Sequence, residues 1–430
     1  MADVSISAIS SVKKKGINPI IIIGSLFFIL GFVAWLNSVL IPYLKIACQL
    51  TNLESYLVAS SFYIACLVMA KPSAWLLKLL GFKNGMVAGL VLMGLGALIF
   101  IPAALTRTYA IFLLGLFVQG SGSAVLQSAS NPYITIVGPA ESAAKRISIM
   151  GICNKFAGVL APLALGAVIL SNLDGFDAKL ALMSPTDKDL ALNELASRVI
   201  VPYILIVVVL VILSVLIYFS GLPEIDTDHE DETVAAANSG KTSITQFPHL
   251  VLGVIALFFY VGVEVIAGDT IISYGASHQI PLATAKYFAS GTLSCMVIGY
   301  IAGIAFIPKY ISQQKALVFC AILGVLLTIG ALVTPKYASI TCIALLGLAN
   351  SLMWPAIWPL ALSGLGRFTK IASSLLVMGI AGAAVFPPMY GLLVDKISAQ
   401  TAYVILIPLY LFILYYATLG YKAGKKVAAV

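Results

Sequence analysis

The chain has 430 residues, of which 61% are hydrophobic and only 10% charged, against about 45–50% apolar and about 25% charged in soluble domains. No water-soluble core hides that much apolar surface, so soluble enzymes, nucleic-acid binders and disulfide-stapled secreted domains are excluded. The net charge of +8 is then a question of membrane orientation, not of affinity for nucleic acid.

Lys13, Lys14 and Lys15 precede an apolar run from about Ile20 to Ile41. The run outlasts the roughly 7–15 residues of a signal-peptide core and no small-x-small cleavage site follows, so it is expected to be the first membrane helix. Breaking the remaining apolar blocks at charges and Pro/Gly clusters predicts twelve spans, near 18–42, 54–79, 84–104, 109–137, 147–170, 199–220, 249–275, 284–307, 315–334, 338–364, 371–394 and 400–420. Each is close to the ~20 residues needed to cross hydrocarbon as a helix. The predicted fold is an all-α membrane protein with twelve transmembrane helices in two six-helix bundles, 18–220 and 249–420. A tail, 1–17, precedes them, a polar linker, 221–248, joins them, and a second tail, 421–430, follows. The linker carries Glu224, Asp226, Asp228, Glu230, Asp231 and Glu232 before a Ser/Thr/Gly stretch and is expected to be flexible.

With the N-terminus inside, fifteen Lys and Arg fall on the cytoplasmic side and eight on the other. Both termini are therefore expected in the cytoplasm. The six cysteines show no Cys-x-x-Cys spacing, which suggests neither a metal site nor a disulfide framework.

Three short matches recur across the halves. Leu26-Phe27-Phe28 with Gly31 matches Leu257-Phe258-Phe259 with Gly262 at an offset of 231, Leu113-Leu114-Gly115-Leu116 matches Leu345-Leu346-Gly347-Leu348 at 232, and Met150-Gly151-Ile152 matches Met378-Gly379-Ile380 at 228. Duplicated halves with a site at their interface are a transporter architecture.

Only two acids, Glu264 and Asp269, fall inside predicted spans, together with one deeply placed cation, Lys155. A charge at the bilayer centre costs about 2.5–3.5 kcal/mol on insertion scales, so these groups should face a cavity or one another. The acids are expected either to bind a cation during transport or to form a static pair with Lys155. Five residues apart, they stand about 140° apart on an ideal helix, and Gly262 and Gly268 either break that helix or allow close packing. The amides Asn37, Gln127, Asn131, Asn154 and Asn350, with Ser38, Trp35, Trp354 and Trp358, form a second polar set within the spans. An amide donates and accepts as a sugar hydroxyl does, and an indole stacks on a pyranose face; interhelical bonding is the competing role. Asn131, followed by Pro132, is also suited to adjusting its helix. Trp75 reads as an interface anchor. The histidines, His229, His249 and His278, lie in loops or at span ends, so no Ser-His or intramembrane metal arrangement is expected.

The run Ser25-Leu26-Phe27-Phe28, Leu36-Asn37-Ser38 and Pro42 resembles the first helix of the fucose:proton symporter family of the major facilitator superfamily. Leu126-Gln127-Ser128-Ala129-Ser130-Asn131-Pro132-Tyr133 with Gly138-Pro139 and Glu141 is similar to that family's most recognisable stretch. The resemblance implies two pseudo-symmetric six-helix bundles, a central cavity and alternating access for a monosaccharide, in the bacterial inner membrane. Two positions depart from it. Ser38 stands where the fucose symporters carry an Asp, and Gln127 where they carry a Glu; the glucose/galactose branch also has Gln there. At the 231 offset Ser38 superposes on Asp269, so the acid missing from the first helix returns in the seventh. The expectation is a monomeric importer of a neutral hexose or N-acetylhexosamine, with Asp269, Glu264 and Lys155 coupling it to H+ or Na+ and no further cofactor. The rivals are an uncoupled facilitator, an exporter, or a sugar sensor that does not transport.

Overall fold

A computed structural model describes residues 19–136, 143–171, 173, 176–222, 243–307, 309–363, 365 and 369–424. The predicted N-terminal tail, positions 223–242 of the predicted linker and 425–430 of the C-terminal tail lie outside them.

The described residues are helical almost throughout. The first span is α1 (Pro19–Trp35) and α2 (Asn37–Ala47), and the second begins as α3 (Asn52–Val68). The continuation, α4 (Ala70–Thr106), holds both the end of the second span and the whole third span, because the chain reverses at Gly81. Gly81 has φ 74 and ψ 177, a backbone region open only to glycine. Then come α5 (Tyr109–Ile136), α6 (Ala143–Ile169), two short loop helices α7 (Phe176–Leu182) and α8 (Pro185–Ser197), and α9 (Ile200–Phe219). The second half holds α10 (Pro248–Asp269), α11 (Ile271–Ser277), α12 (Leu282–Phe306), α13 (Gln313–Val333), α14 (Lys336–Ser351), α15 (Met353–Leu362), α16 (Thr369–Met378), α17 (Gly382–Lys396), α18 (Ala399–Ala402) and α19 (Leu406–Thr418). These are the twelve predicted spans, with ends shifted by a few residues. Six of them are interrupted along their course, at Leu36, Met69, Thr270, Leu352, Gly379–Ala381 and Tyr403–Ile405.

The helices α7 and α8 were not expected. Ser184 accepts from Asp187 N and Pro185 occupies the first turn, a start signal hidden in a charged loop. Of the two roles expected of Gly262 and Gly268, a break or close packing, the break is not seen: α10 runs unbroken through both to Asp269. A Cβ on Gly262 would meet Phe386, and one on Gly268 would meet Trp35, so both glycines serve close packing.

The duplication is visible in the backbone. Among the described residues, the non-glycine positions with positive φ are Gln49, Arg107, Gln279 and Lys336, two pairs at offsets of 230 and 229. The first pair closes α2 and α11 identically: Leu50 N bonds Lys45 O and Gln49 N bonds Ile46 O, while Ile280 N bonds Gly275 O and Gln279 N bonds Ala276 O. Each set is a complete Schellman cap.

The halves meet along two seams, α3 against α17 and α6 against α12. At the predicted outer end Asp395 spans the first seam: its carboxylate accepts from Asn52 Nδ2 at 2.6 Å and from Leu53 N at 2.9 Å. Those groups lie in the first turn of α3, where the helix dipole favours a negative charge. Ser60 donates to Ala384 O at 2.6 Å further along the seam. On the second seam Ser290 donates to Val159 O at 2.8 Å.

Candidate functional site

Lys155, on α6 of the first half, donates to Glu264 Oε1, on α10 of the second, at 2.6 Å. Both side chains are buried. The pair crosses the interface between the halves within two apolar spans, where low dielectric strengthens it and makes either partner costly alone. Trp35 lies beneath, with Lys155 Nζ 4.6 Å from its ring centroid. The indole is wedged between glycines of the two halves: a Cβ on Gly158 or on Gly268 would run into its ring.

Asp269 closes α10. It is 0% exposed, and neither carboxylate oxygen has a hydrogen-bond partner. It lies near enough to Lys155 and Glu264 to interact with both electrostatically. Of the hydroxyls that follow it in the chain, Thr270 donates to Ile266 O at 2.7 Å and pairs with the Tyr403 hydroxyl at 2.7 Å. Ser273 instead borders a cavity at the predicted outer end.

The amides and indoles part company. Asn37 is buried just after the Leu36 break, both its amide atoms unpaired, while Ser38 donates to Trp35 O at 2.9 Å. Gln127 is half-buried and donates to Ser123 Oγ at 3.1 Å. Asn154 is half-buried and donates to Phe27 O at 3.3 Å. Trp354 and Trp358, one turn apart on α15, are half-buried and stack on each other, centroids 5.3 Å apart and planes 24° apart. Trp354 also faces Tyr260 at 6.3 Å. Three of the expected substrate contacts sit elsewhere. Asn131 is exposed at the predicted inner end of α5. Asn350 is buried within the second half, its Oδ1 accepting from Tyr410 at 2.8 Å, so it ties two helices of one bundle together. Trp35 is buried under Lys155 and the two glycines and offers no open face to a sugar.

Sequence reasoning missed the tyrosines. Tyr260 and Tyr300 are buried close to Glu264, and Tyr63 close to both acids. A tyrosine in an apolar span reads as bulk, and the available signal was Tyr260 one helical turn before Glu264. Among the described residues, His, Cys, Asp and Glu form no group of three that could hold a metal ion. The outer-end cavity, about 850 Å³, lies between the ends of α2, α3, α11 and α17; none of the residues singled out as substrate contacts lines it.

Comparison with known proteins accords with this architecture. Residues 23–378 match the family model described as Major Facilitator Superfamily. The chain is 34% identical over 405 residues to a glucose/galactose transporter of Brucella abortus, covering 93% of each chain. It is 30% identical over 388 residues to the L-fucose-proton symporter of Escherichia coli, covering 89% of this chain and 88% of that one. Among solved structures, the fucose transporter FucP in the outward conformation aligns with a TM-score of 0.71 at 29% identity, over 94% of this chain and 99% of that one. A D-xylose-proton symporter, at 15% identity and a TM-score of 0.67 over 95% and 99% of the chains, shares the fold. The chain belongs to the Major Facilitator Superfamily, within the family of the fucose-proton symporters, and is a membrane transporter.

Proposed function

We propose that the protein imports a neutral hexose or N-acetylhexosamine in symport with a proton, alternating access between two faces of the membrane. The observation that carries this reading is the Lys155–Glu264 pair across the halves with Asp269 buried and unpartnered beside it. One ammonium serves two carboxylates. With a proton on Asp269, that carboxyl needs no counter-charge, Lys155 remains on Glu264 and the sugar-loaded interface rearranges with no charge left unpaired. When the proton leaves, Asp269 competes for the same ammonium, and with sugar still bound one buried carboxylate is left without a counter-charge, which opposes the rearrangement. Proton occupancy thus acts only through its different effect on the two arrangements, as coupling requires. A proton is favoured over sodium because sodium needs several oxygen ligands, and the Thr270 hydroxyl next to Asp269 is already committed to Ile266 O and Tyr403.

For the substrate, the half-buried Gln127, Asn154, Trp354 and Trp358, with the unpaired amide of Asn37, supply the amides and ring faces that a pyranose needs. No charge beyond the Lys155, Glu264 and Asp269 set is proposed to take part. The names of the relatives support a hexose. Closure at Asp395 corresponds to a state shut on the outside, with both termini in the cytoplasm.

The test is uptake by the full-length protein in liposomes against a panel of labelled neutral sugars. Asp269→Asn holds the group permanently neutral, and should abolish accumulation driven by a proton gradient while counterflow continues. Accumulation equal to wild type overturns the role of Asp269. Wild-type protein that equilibrates sugar but concentrates it under neither a proton nor a sodium gradient is a facilitator.

A further inference from the structure

We propose that the cavity at the predicted outer end is a second monosaccharide site, in which Gln49 of the first half and Gln279 of the second grip a sugar from opposite sides. This rests on the reading of the transported substrate as a neutral sugar. Both glutamines line the cavity, both are exposed, and neither side-chain amide has a hydrogen-bond partner among the described residues. Each occupies the left-handed position of its Schellman cap, with φ 54 and φ 63. Glycine fills that position without strain, whereas a side chain is disfavoured there. Both halves nevertheless carry the same amide, aimed at the same space. Backbone strain of this kind gathers at ligand clamps.

Arg107 stands in the same kind of cap, Thr108 N bonding Ala103 O and Arg107 N bonding Ala104 O, so the left-handed position does not by itself mark a ligand; the two amides bordering one cavity do. Arg107 and Lys336 do not line the cavity, and Arg107 spends its side chain on Asp189 at 3.0 Å. The glutamines have no such use inside the protein.

The lining identifies the ligand's chemistry. Its only charged residue is Lys45, whose ammonium donates to Asn52 Oδ1 at 2.6 Å, in the same network as Asp395. The rest of the polar lining is the two glutamine amides, the hydroxyls of Ser273 and of Ser277, the latter donating to Tyr274 O at 2.7 Å, and the tyrosines Tyr56, Tyr274 and Tyr390; Phe176 adds an apolar ring. Each amide offers one carbonyl and two N–H donors. Paired donors and acceptors, an apolar ring and no free charge suit an uncharged polyhydroxylated ring, and about 850 Å³ accommodates a pyranose with attendant water. Because α2 and α11 belong to different halves, the distance between the glutamines changes as the halves move, so the site holds sugar in one arrangement and releases it in the other.

The experiment is a saturation titration of the full-length wild-type protein and of Gln49→Gly/Gln279→Gly with labelled D-glucose and D-galactose, counting sugars bound per chain. Glycine removes the amides and relieves the backbone, so the variant should melt at or above the wild-type temperature and any loss is not a folding failure. The expected result is two sugars per wild-type chain and one per variant chain. One sugar per chain in both overturns the outer site and leaves the transport reading standing. Two per chain in both overturns the assignment to the glutamines. None in wild type, with either sugar or any other in a neutral panel, overturns the transport reading and the outer site together.

Discussion

Lys155 has two carboxylates within electrostatic reach, and the helical screw decides which one it holds. Glu264 and Asp269, five residues apart on α10, point about 140° away from each other, so an ammonium arriving from α6 meets one oxygen well and the other poorly. It meets Glu264 Oε1 at 2.6 Å. The sequence marks all three residues, because ionisable side chains in apolar spans are rare and costly. The choice of partner was not legible, since it depends on the rotation of α10 against α6, which no local pattern encodes. Lys155→Met should leave Glu264 buried and unpaired, at a cost of about 3–5 kcal/mol. Removing both charges in Lys155→Met/Glu264→Gln should recover most of that loss, although transport stays impaired. Thermal unfolding of the purified variants checks this; a double variant as unstable as the sum of the two singles would show that the residues do not act as a pair.

At the level of elements, the twelve spans were readable because charges and Pro/Gly clusters punctuate apolar blocks of membrane-crossing length. Their interruptions were legible only in part. Leu36 and Thr270 carry neither glycine nor proline, and Pro42 and Pro162 lie inside continuous helices, whereas the breaks at Met69 and Leu352 come just ahead of Pro72 and Pro355 and another falls at Gly379. Within a packed membrane bundle, neighbouring helices and side chains satisfy freed backbone groups, so a break falls where packing allows, with or without such a residue. Of the polar set, Asn37 next to the Leu36 break has neither amide atom paired, while Asn350 accepts from Tyr410 through Oδ1 and leaves only its Nδ2 unpaired; both read alike as amides in apolar runs. The joint between α1, α6 and α10 depends on the missing Cβ atoms of Gly158 and Gly268. Gly268→Val would place methyl groups where the Trp35 ring lies, and overpacking of this kind costs about 1–3 kcal/mol. Its main effect should be on movement: tryptophan fluorescence should shift as Trp35 is displaced, and accumulation should fall well before the protein loses its fold. A variant with an unaltered emission spectrum and full accumulation would remove Trp35 from the coupling of the halves.

The whole molecule is two similar bundles held closed at one end. The latch at Asp395 joins a carboxylate from the end of α17 to the first turn of α3, and charge-assisted hydrogen bonds of this type contribute about 1.5–3 kcal/mol. Asp395→Ala removes both bonds and should shift the population toward the form open at that end by tenfold or more, since each 1.4 kcal/mol is a factor of ten. Spin labels on Thr108 and Lys396, exposed and on opposite halves, would report the change as a longer distance component in double electron–electron resonance. A distance distribution identical to wild type would mean that the remaining contacts of α3 with α17 hold the closure unaided.

The unbroken course of α10 also has an electrical consequence. Five residues at 1.5 Å each separate Glu264 from Asp269 by about 7.5 Å along the helix axis, about a quarter of the ~30 Å hydrocarbon layer. If Lys155 changes partner during the cycle, its charge crosses that fraction of the membrane field. At about 2.3 kcal/mol per charge per 100 mV, the step is worth about 0.6 kcal/mol at 100 mV. With Asp269 toward the outside, a voltage negative within the cell favours the Glu264 pairing. Adding sugar to protein layers on a solid-supported membrane should therefore produce a brief capacitive current, one that Lys155→Met lacks even where sugar still binds.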